Sequence, residues 1–142
     1  MYRASPKIIP ARASYRHAEQ LVQQQVTDPD PETARQRIAA GMQHYDDPHY
    51  ETLLAIKDGV AVAEVGVLTI GEIGRIEPLF VAEPFRRQGV AQTMMSRAVE
   101  ICMRSLFKHI FLSCNPDNTP AQTLYAKLGF KKIGEIVSYI AE

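Results

Sequence analysis

Only two cysteines, Cys102 and Cys114, occur in the chain, and they are not closely spaced. A disulfide framework or a zinc site built on paired cysteines is therefore excluded. His17, His44, His49 and His109 are scattered, with no H-x-x-x-H pair, so no metal is expected. Two reduced thiols suit a reducing compartment. An excess of charge of one sign is also missing, since Lys plus Arg and Asp plus Glu both total 16. That balance offers nothing to a general nucleic-acid or membrane-surface binder, and neither partner is expected. No apolar run approaches the roughly 20 residues of a bilayer span. Residues 1–6 lack the apolar core of a secretory signal, so a soluble cytoplasmic protein is the expectation. What is present is ordinary globular composition, 46% hydrophobic and 23% charged. The length fits one domain over residues 1–142.

The chain alternates between helical and extended texture. Lys7-Ile8-Ile9 is a short strand ended by Pro10. Tyr15, Ala18, Leu21, Val22 and Val26 recur at helical spacing. Asp28-Pro29-Asp30-Pro31 breaks that helix and starts another, with Asp30 as N-cap, Pro31 at the first helical position and Glu32 at the positive end of the dipole. This second helix is expected to end near Asp46-Asp47-Pro48. Thr52–Lys57 and Val60–Thr69 flank Asp58-Gly59, a two-residue hairpin signal. Ala61, Ala63, Val65 and Val67 alternate with Val62, Glu64, Gly66 and Leu68, as in a sheet covered on both faces. Arg75–Ala82 reads as a third strand, Arg87–Leu106 as a long helix, and His109–Cys114 as a strand. Thr119-Pro120-Ala121-Gln122 is a capping box opening a short helix to Leu128, with Gly129 as its left-handed cap. Phe130–Ile140 reads as a last strand. The fold class is α/β, a mixed sheet covered by helices.

Chemistry concentrates first at Val81-Ala82-Glu83-Pro84-Phe85-Arg86-Arg87-Gln88-Gly89-Val90-Ala91. A strand ends there, a tight basic turn follows, and a long helix begins. Unpaired N–H groups and the dipole at a helix start form an anion site. Gly89 removes a side chain where a phosphate would meet the backbone, and Arg86 and Arg87 can add charge-assisted contacts. This geometry suits a pyrophosphate better than a lone carboxylate. A capped helix with solvated arginines is the alternative. Neither G-x-G-x-x-G nor G-x-x-x-x-G-K-[ST] is present.

A second segment lies roughly thirty residues beyond, with Asn118, Ala121, Leu124-Tyr125 and Gly129-Phe130 at fixed spacing. Arg86-Arg87-Gln88-Gly89-Val90-Ala91 fits the pattern R/Q-x-x-G-x-G/A, and Asn118 to Phe130 fits N-x-x-A-x-x-L-Y-x-x-x-G-F. In this order and separation the two motifs resemble the GNAT superfamily of acetyl-CoA-dependent N-acetyltransferases. The resemblance covers Ile76 to Tyr139, and reaches the first half only through element order. It implies a GNAT-like, mostly antiparallel mixed sheet flanked by helices, with a short C-terminal strand region.

The resemblance also implies roles. Leu79, Phe80 and Val81 would lie along the pantetheine arm of acetyl-CoA, bonding it through backbone groups as an added strand would. Backbone N–H groups of Arg87, Gln88, Gly89, Val90, Ala91 and Gln92 would hold the pyrophosphate. Asn118 would fix the pantetheine end or the splayed strand. Tyr125 matches the tyrosine near the thioester sulfur. An amine attacking the thioester places charge on the carbonyl oxygen, which an N–H near Val81 could stabilise, and a phenol can protonate the departing thiolate. The alternative for Tyr125 is a helix aromatic packed on Phe130.

A general base is harder to assign. Some family members carry a Glu where Ser113 stands here, and serine cannot serve. Glu77 is the substitute, with a surface pair to Arg75 as its alternative reading; Glu64 and Glu72 rank behind it. An acyl-cysteine route through Cys114 ranks below a packed thiol, and His109 reads as structural or exposed. The acceptor would be a small-molecule amine or a protein amino group. The tyrosines and acids of residues 45–50 are a candidate surface for a cation. Only thirteen residues, Phe130 to Glu142, follow the last helix and its Gly129 cap, which raises a homodimer at a bare sheet edge or a partner domain as expectations. The rival function is a non-catalytic CoA-binding or interaction module, half of a tandem protein. A phosphate-ester binder is a third reading, resting on the anion turn alone.

Overall fold

A computed structural model of the chain describes residues 6–77, 79–114 and 116–135. Its elements are β1 (Lys7–Pro10), α1 (Tyr15–Gln25), α2 (Pro31–Gln43), β2 (Tyr50–Lys57), β3 (Val60–Ile70), β4 (Ile73–Ile76), β5 (Phe80–Val81), α3 (Val90–Arg104), β6 (His109–Leu112) and α4 (Thr119–Lys127). The sheet runs β1-β2-β3-β4-β6, with β5 also paired to β3. The pairs are antiparallel except β4 with β6. The expected mixed, mostly antiparallel sheet flanked by helices is therefore what forms.

Local chemistry accounts for several element ends. Asp30 caps α2 by accepting from the Thr33 N–H at 3.1 Å, with Pro31 in the first turn. Asp58 and Gly59 have φ of 53° and 78°, both left-handed, as a two-residue hairpin matched to strand twist requires. Helix α2 stops at Gln43, before the expected boundary, and a 3₁₀ turn over His44–Asp46 carries the chain on. Arg12 ties that turn down, donating from Nε to the Tyr45 carbonyl at 2.7 Å.

Each face of the sheet has its own core. Leu53, Ala55, Ala63, Val65, Val67 and Ile76 pack with Val90, Met94, Met95, Ala98 and Cys102 of α3. On the other face Leu54 and Ala61 pack with Ala18, Leu21 and Val22 of α1 and with Tyr45. The even alternation along β3 does not hold. Ala55 pairs with Ala63 but Ile56 with Ala61, so Val62 is an extra residue, a β-bulge. Val62 joins Ala63 on the α3 side, and Ala61 turns to the α1 side.

Three further expectations need correction. The strand expected over Arg75–Ala82 is two strands out of step. Ile76 faces Val67 in β4, while Phe80 faces Glu64 in β5, so three residues on one side span two on the other. This segment includes Pro78, which has no N–H for a ladder. Helix α3 starts at Val90, three residues later than expected, because Arg87 and Gly89 are left-handed. The last strand is not seen over Phe130–Glu135, which carries no regular structure; the remainder of that expectation, residues 136–142, lies outside the described residues.

Close packing explains Gly66. A methyl built there would overlap the Tyr50 hydroxyl and lie 2.5 Å from its Cζ. Gly66→Ala is expected to displace the Tyr50 ring and cost about 1–3 kcal/mol, read as a lower urea midpoint with an unchanged m-value.

Candidate active site

The sheet opens where its strands diverge. β6 follows β4 in parallel as far as Ile76 and Leu112, but β5 turns onto β3 instead. The Ala82 N–H donates to the Val62 carbonyl at 2.8 Å. Because antiparallel pairing alternates, the N–H and C=O of Val81 must point away from β3, into the opening. The Val81 carbonyl does so, since it accepts from Arg86 Nε at 2.9 Å. A strand-like arm arriving here would meet the Val81 N–H directly but would share its carbonyl with Arg86.

The anion turn lies beside this edge. Arg87 and Gly89, with φ of 63° and 81°, bracket Gln88. Such turns gather successive N–H groups into a concave anion receptor. Gly89 supplies no side-chain cap, so the first-turn N–H groups of Val90, Ala91 and Gln92 lack partners within the helix. A Cβ at Gly89 would meet nothing within 4 Å, so the backbone is open to approach.

Val81, Arg86, Arg87, Gly89, Ala91 and Gln92 line one cleft of about 240 Å³, together with Phe85 and Leu124. Phe85 and Leu124 stand within the two motifs, and the cleft gives each a place that the motif pattern alone does not assign. Gln88 faces elsewhere. It donates from Nε2 to the Pro84 carbonyl at 3.0 Å and accepts from Lys57 Nζ at 3.1 Å. Lys57, at the far end of β2, thus places another cation beside the turn, and no local motif marks it. Leu79 packs on the α3-side core with Val81, whereas Phe80 packs on the opposite face.

Tyr125, on α4, packs against the α3-side core, and its ring meets Phe130 edge-on at 6.3 Å. The packing contact weighed as its alternative is thus present. Burial first, then the neighbouring Cys114, raises its pKa above the ordinary phenol value, so the hydroxyl keeps its proton through neutral pH. Asn118, not Thr119, caps α4, accepting from the Ala121 N–H at 3.2 Å. The expected capping box does not form, because the third helical position after Asn118 is Ala121 and Gln122 Nε2 donates instead to the Pro116 carbonyl at 2.7 Å; at least one oxygen lone pair of Asn118 is committed to the helix.

Glu77 lies on the other side of the sheet. It pairs with Arg75, Nε to Oε1 at 3.6 Å, and its N–H donates to the Gly66 carbonyl at 2.8 Å. By strand alternation Glu77 shares the α1-side face with Glu64 and Phe80. Glu64 accepts from the Tyr45 hydroxyl at 2.7 Å and from Gln25 Nε2 at 3.0 Å. Glu72 is an exposed partner of Lys108 at 2.9 Å, and His109 is exposed on β6.

Burial, then the charges of Glu77 and Glu64, pushes the Tyr50 phenol up to about 12. Burial first, and next the charge and hydrogen bond of Glu64, raises Tyr45 as well. Unfolded phenols ionise near pH 10 while these stay protonated, so the unfolded state sheds protons first. Their stabilising contribution is complete below about pH 10 and is lost as pH rises through the folded values. The urea midpoint is expected to fall between about pH 10 and pH 12, and less steeply in Tyr50→Phe.

Fold and site together define a class: an α/β protein whose splayed sheet opens beside a bare-backbone anion turn. The chain belongs to the acetyltransferase (GNAT) family, whose model matches residues 15–130. A Bacillus subtilis (strain 168) relative named for alanine N-acetylation of ribosomal protein bS18 is 26% identical over 97 residues, 68% of this chain and 64% of its own length. An N-alpha-acetyltransferase of Saccharolobus solfataricus is 32% identical over 71 residues, 49% of this chain and 42% of that one. The matched stretches therefore span less than two-thirds of these relatives. Among solved structures, the aminoglycoside N-acetyltransferase AAC(6')-Iy in complex with CoA superposes with a TM-score of 0.73 at 20% identity, covering 99% of this chain and 98% of that one. A transcriptional regulator from Bacillus halodurans C-125 gives 0.76 at 16% identity, covering 96% and 99%. Likeness at these identities establishes the fold. Among the described residues no helix is long and apolar enough to cross a membrane, and no cluster of three metal-ligating side chains occurs.

Proposed function

We propose that the chain is an N-acetyltransferase that moves the acetyl group of acetyl-CoA to a primary amine, on a small molecule or a protein. The observation that carries this reading is the shared cleft. The outward-facing edge of Val81 and the open turn at Arg87–Gln92 border one space. That pairing fits a substrate with an amide-bearing arm and a pyrophosphate, and fits a simple phosphate ester less well.

In this reading acetyl-CoA supplies the activated acyl group. The N–H groups of Val90, Ala91 and Gln92 hold the diphosphate, with Arg87 adding charge. The Val81 N–H faces the carbonyl oxygen as charge develops on it. The amine must lose a proton, and Glu77 takes it directly or through water. Tyr125, protonated by virtue of its burial, gives a proton to the thiolate. The acetyl–sulfur bond breaks as the acetyl–nitrogen bond forms, and the two proton transfers balance.

Release of free thiol from acetyl-CoA over an amine panel tests the reading. Amine-dependent thiol release is the expected result. Thermal stabilisation by CoA without turnover on any amine would instead identify a non-catalytic CoA-binding module.

A further inference from the structure

One hydrogen bond crosses the cleft at the point where an incoming arm would be read. Arg86 Nε donates to the Val81 carbonyl at 2.9 Å, and the side chain is exposed. Among the described residues no carboxylate pairs with this guanidinium. The backbone around it is pinned. The Ala82 N–H donates to the Val62 carbonyl at 2.8 Å, the Phe85 N–H to the Ala82 carbonyl at 2.9 Å, and the Arg86 N–H to the Glu83 carbonyl at 3.2 Å. The Val81–Ala82 peptide is thus held to β3 through its N–H, while its carbonyl is held only by a side chain that can swing away.

That carbonyl is the acceptor an added strand needs for its own amide N–H. While Arg86 holds it, an arm gains the Val81 N–H but finds the carbonyl taken. Arg86 also lines the same cleft as Arg87, Gly89, Ala91 and Gln92, so an anion seated on the turn competes for the guanidinium. The competition is unequal. A guanidinium bond to a phosphate is charged at both ends and takes two oxygens in a fork, whereas the carbonyl is neutral and offers one.

We infer that Arg86 is a specificity-determining residue that makes the site select donors carrying a diphosphate over acyl-pantetheine donors that lack one. The inference rests on the acetyl-CoA reading for the identity of the donor. When the diphosphate settles on the turn, Arg86 leaves the Val81 carbonyl for the phosphate oxygens, and an amide N–H of the arm takes the vacated acceptor. Every donor and acceptor is then paired. A short donor brings no anion, so its amide N–H must displace a charged donor or stay unpaired. Discrimination by leaving the wrong ligand with an unmet polar group needs no steric block.

NMR titrations of CoA and of pantetheine, followed at the Val81 and Ala82 amides, test this in the protein and in Arg86→Ala. The variant should bind CoA at least about fivefold more weakly and pantetheine about threefold or more tightly, each the scale of one hydrogen bond. The two constants move in opposite directions. A residue that only braced the loop would weaken both ligands, and one that only contacted phosphate would leave pantetheine unchanged; either result overturns the inference. A second measurement needs no variant. The hydrogen-bond coupling between Arg86 Nε and the Val81 carbonyl carbon should be present in the free protein and vanish at saturating CoA, and its persistence there also overturns the inference. Thiol release from acetyl-CoA over the amine panel reports on acetyl transfer separately. Turnover without the opposed shifts would sink only the role of Arg86, and opposed shifts without turnover on any amine would sink only the transferase reading.

Discussion

Replacing Tyr125 by phenylalanine lowers kcat by about 10²-fold or more, the usual contribution of a positioned acid, while CoA affinity stays within about twofold. The two effects separate because the hydroxyl is absent from the anion turn and its ring is retained. Phenylalanine still fills the edge-on position against Phe130 at 6.3 Å, so stability should change little. If Tyr125 served only as packing, kcat would be nearly unaffected. Because burial holds the phenol above its ordinary value, the alkaline limb of kcat should lie above pH 10 and disappear in the variant, leaving the acidic limb of the base.

Gly89→Ala has the other large effect. A non-glycine residue at φ 81° costs about 1–2 kcal/mol. The added methyl meets nothing in the protein, so it stands in the space a diphosphate would enter. CoA affinity is expected to fall at least about tenfold, equivalent to 1.4 kcal/mol, while a pantetheine fragment lacking the diphosphate binds as before. Arg87→Gly makes an instructive contrast. It relaxes a left-handed non-glycine residue and removes a charge, so CoA should bind more weakly and with a smaller salt dependence in a protein no less stable.

Much of this was legible in the chain because the signals are local. Asp30-Pro31, Asp58-Gly59 and the apolar face of α3 each specify their element within a few residues. Gly89 announced a backbone that a phosphate could approach, and the turn has that form. The expectations that failed depended on partners distant in sequence. The break between Ile76 and Phe80 and the bulge at Val62 exist only in register with β3 and β2. Their β-prone composition reads as unbroken strand. Asn118 replaced Thr119 as the cap because either side chain suits that role, and only the backbone path selects between them. Arg86 reads as a phosphate ligand, yet its Nε is occupied by the Val81 carbonyl.

The cluster on the α1-side face was the least legible part. Tyr50 and Thr52 come from β2, Glu64 from β3 and Glu77 from just beyond β4, and their meeting depends on where the hairpin register falls. The residue 45–50 segment was marked as a surface for cations. Tyr45 instead turns inward to Glu64 from the 3₁₀ turn that Arg12 holds, and Tyr50 opens β2 with its ring over Gly66. Sequence could offer the residue types but not the inward direction.

Backbone amide NMR of the labelled protein during a CoA titration tests the central claim most directly. The account predicts saturable shifts concentrated at the amides of Arg87 to Gln92, with a second set at Val81, and loss of the first set when pantetheine replaces CoA. Shifts scattered away from the turn, or none at saturating CoA, would contradict it.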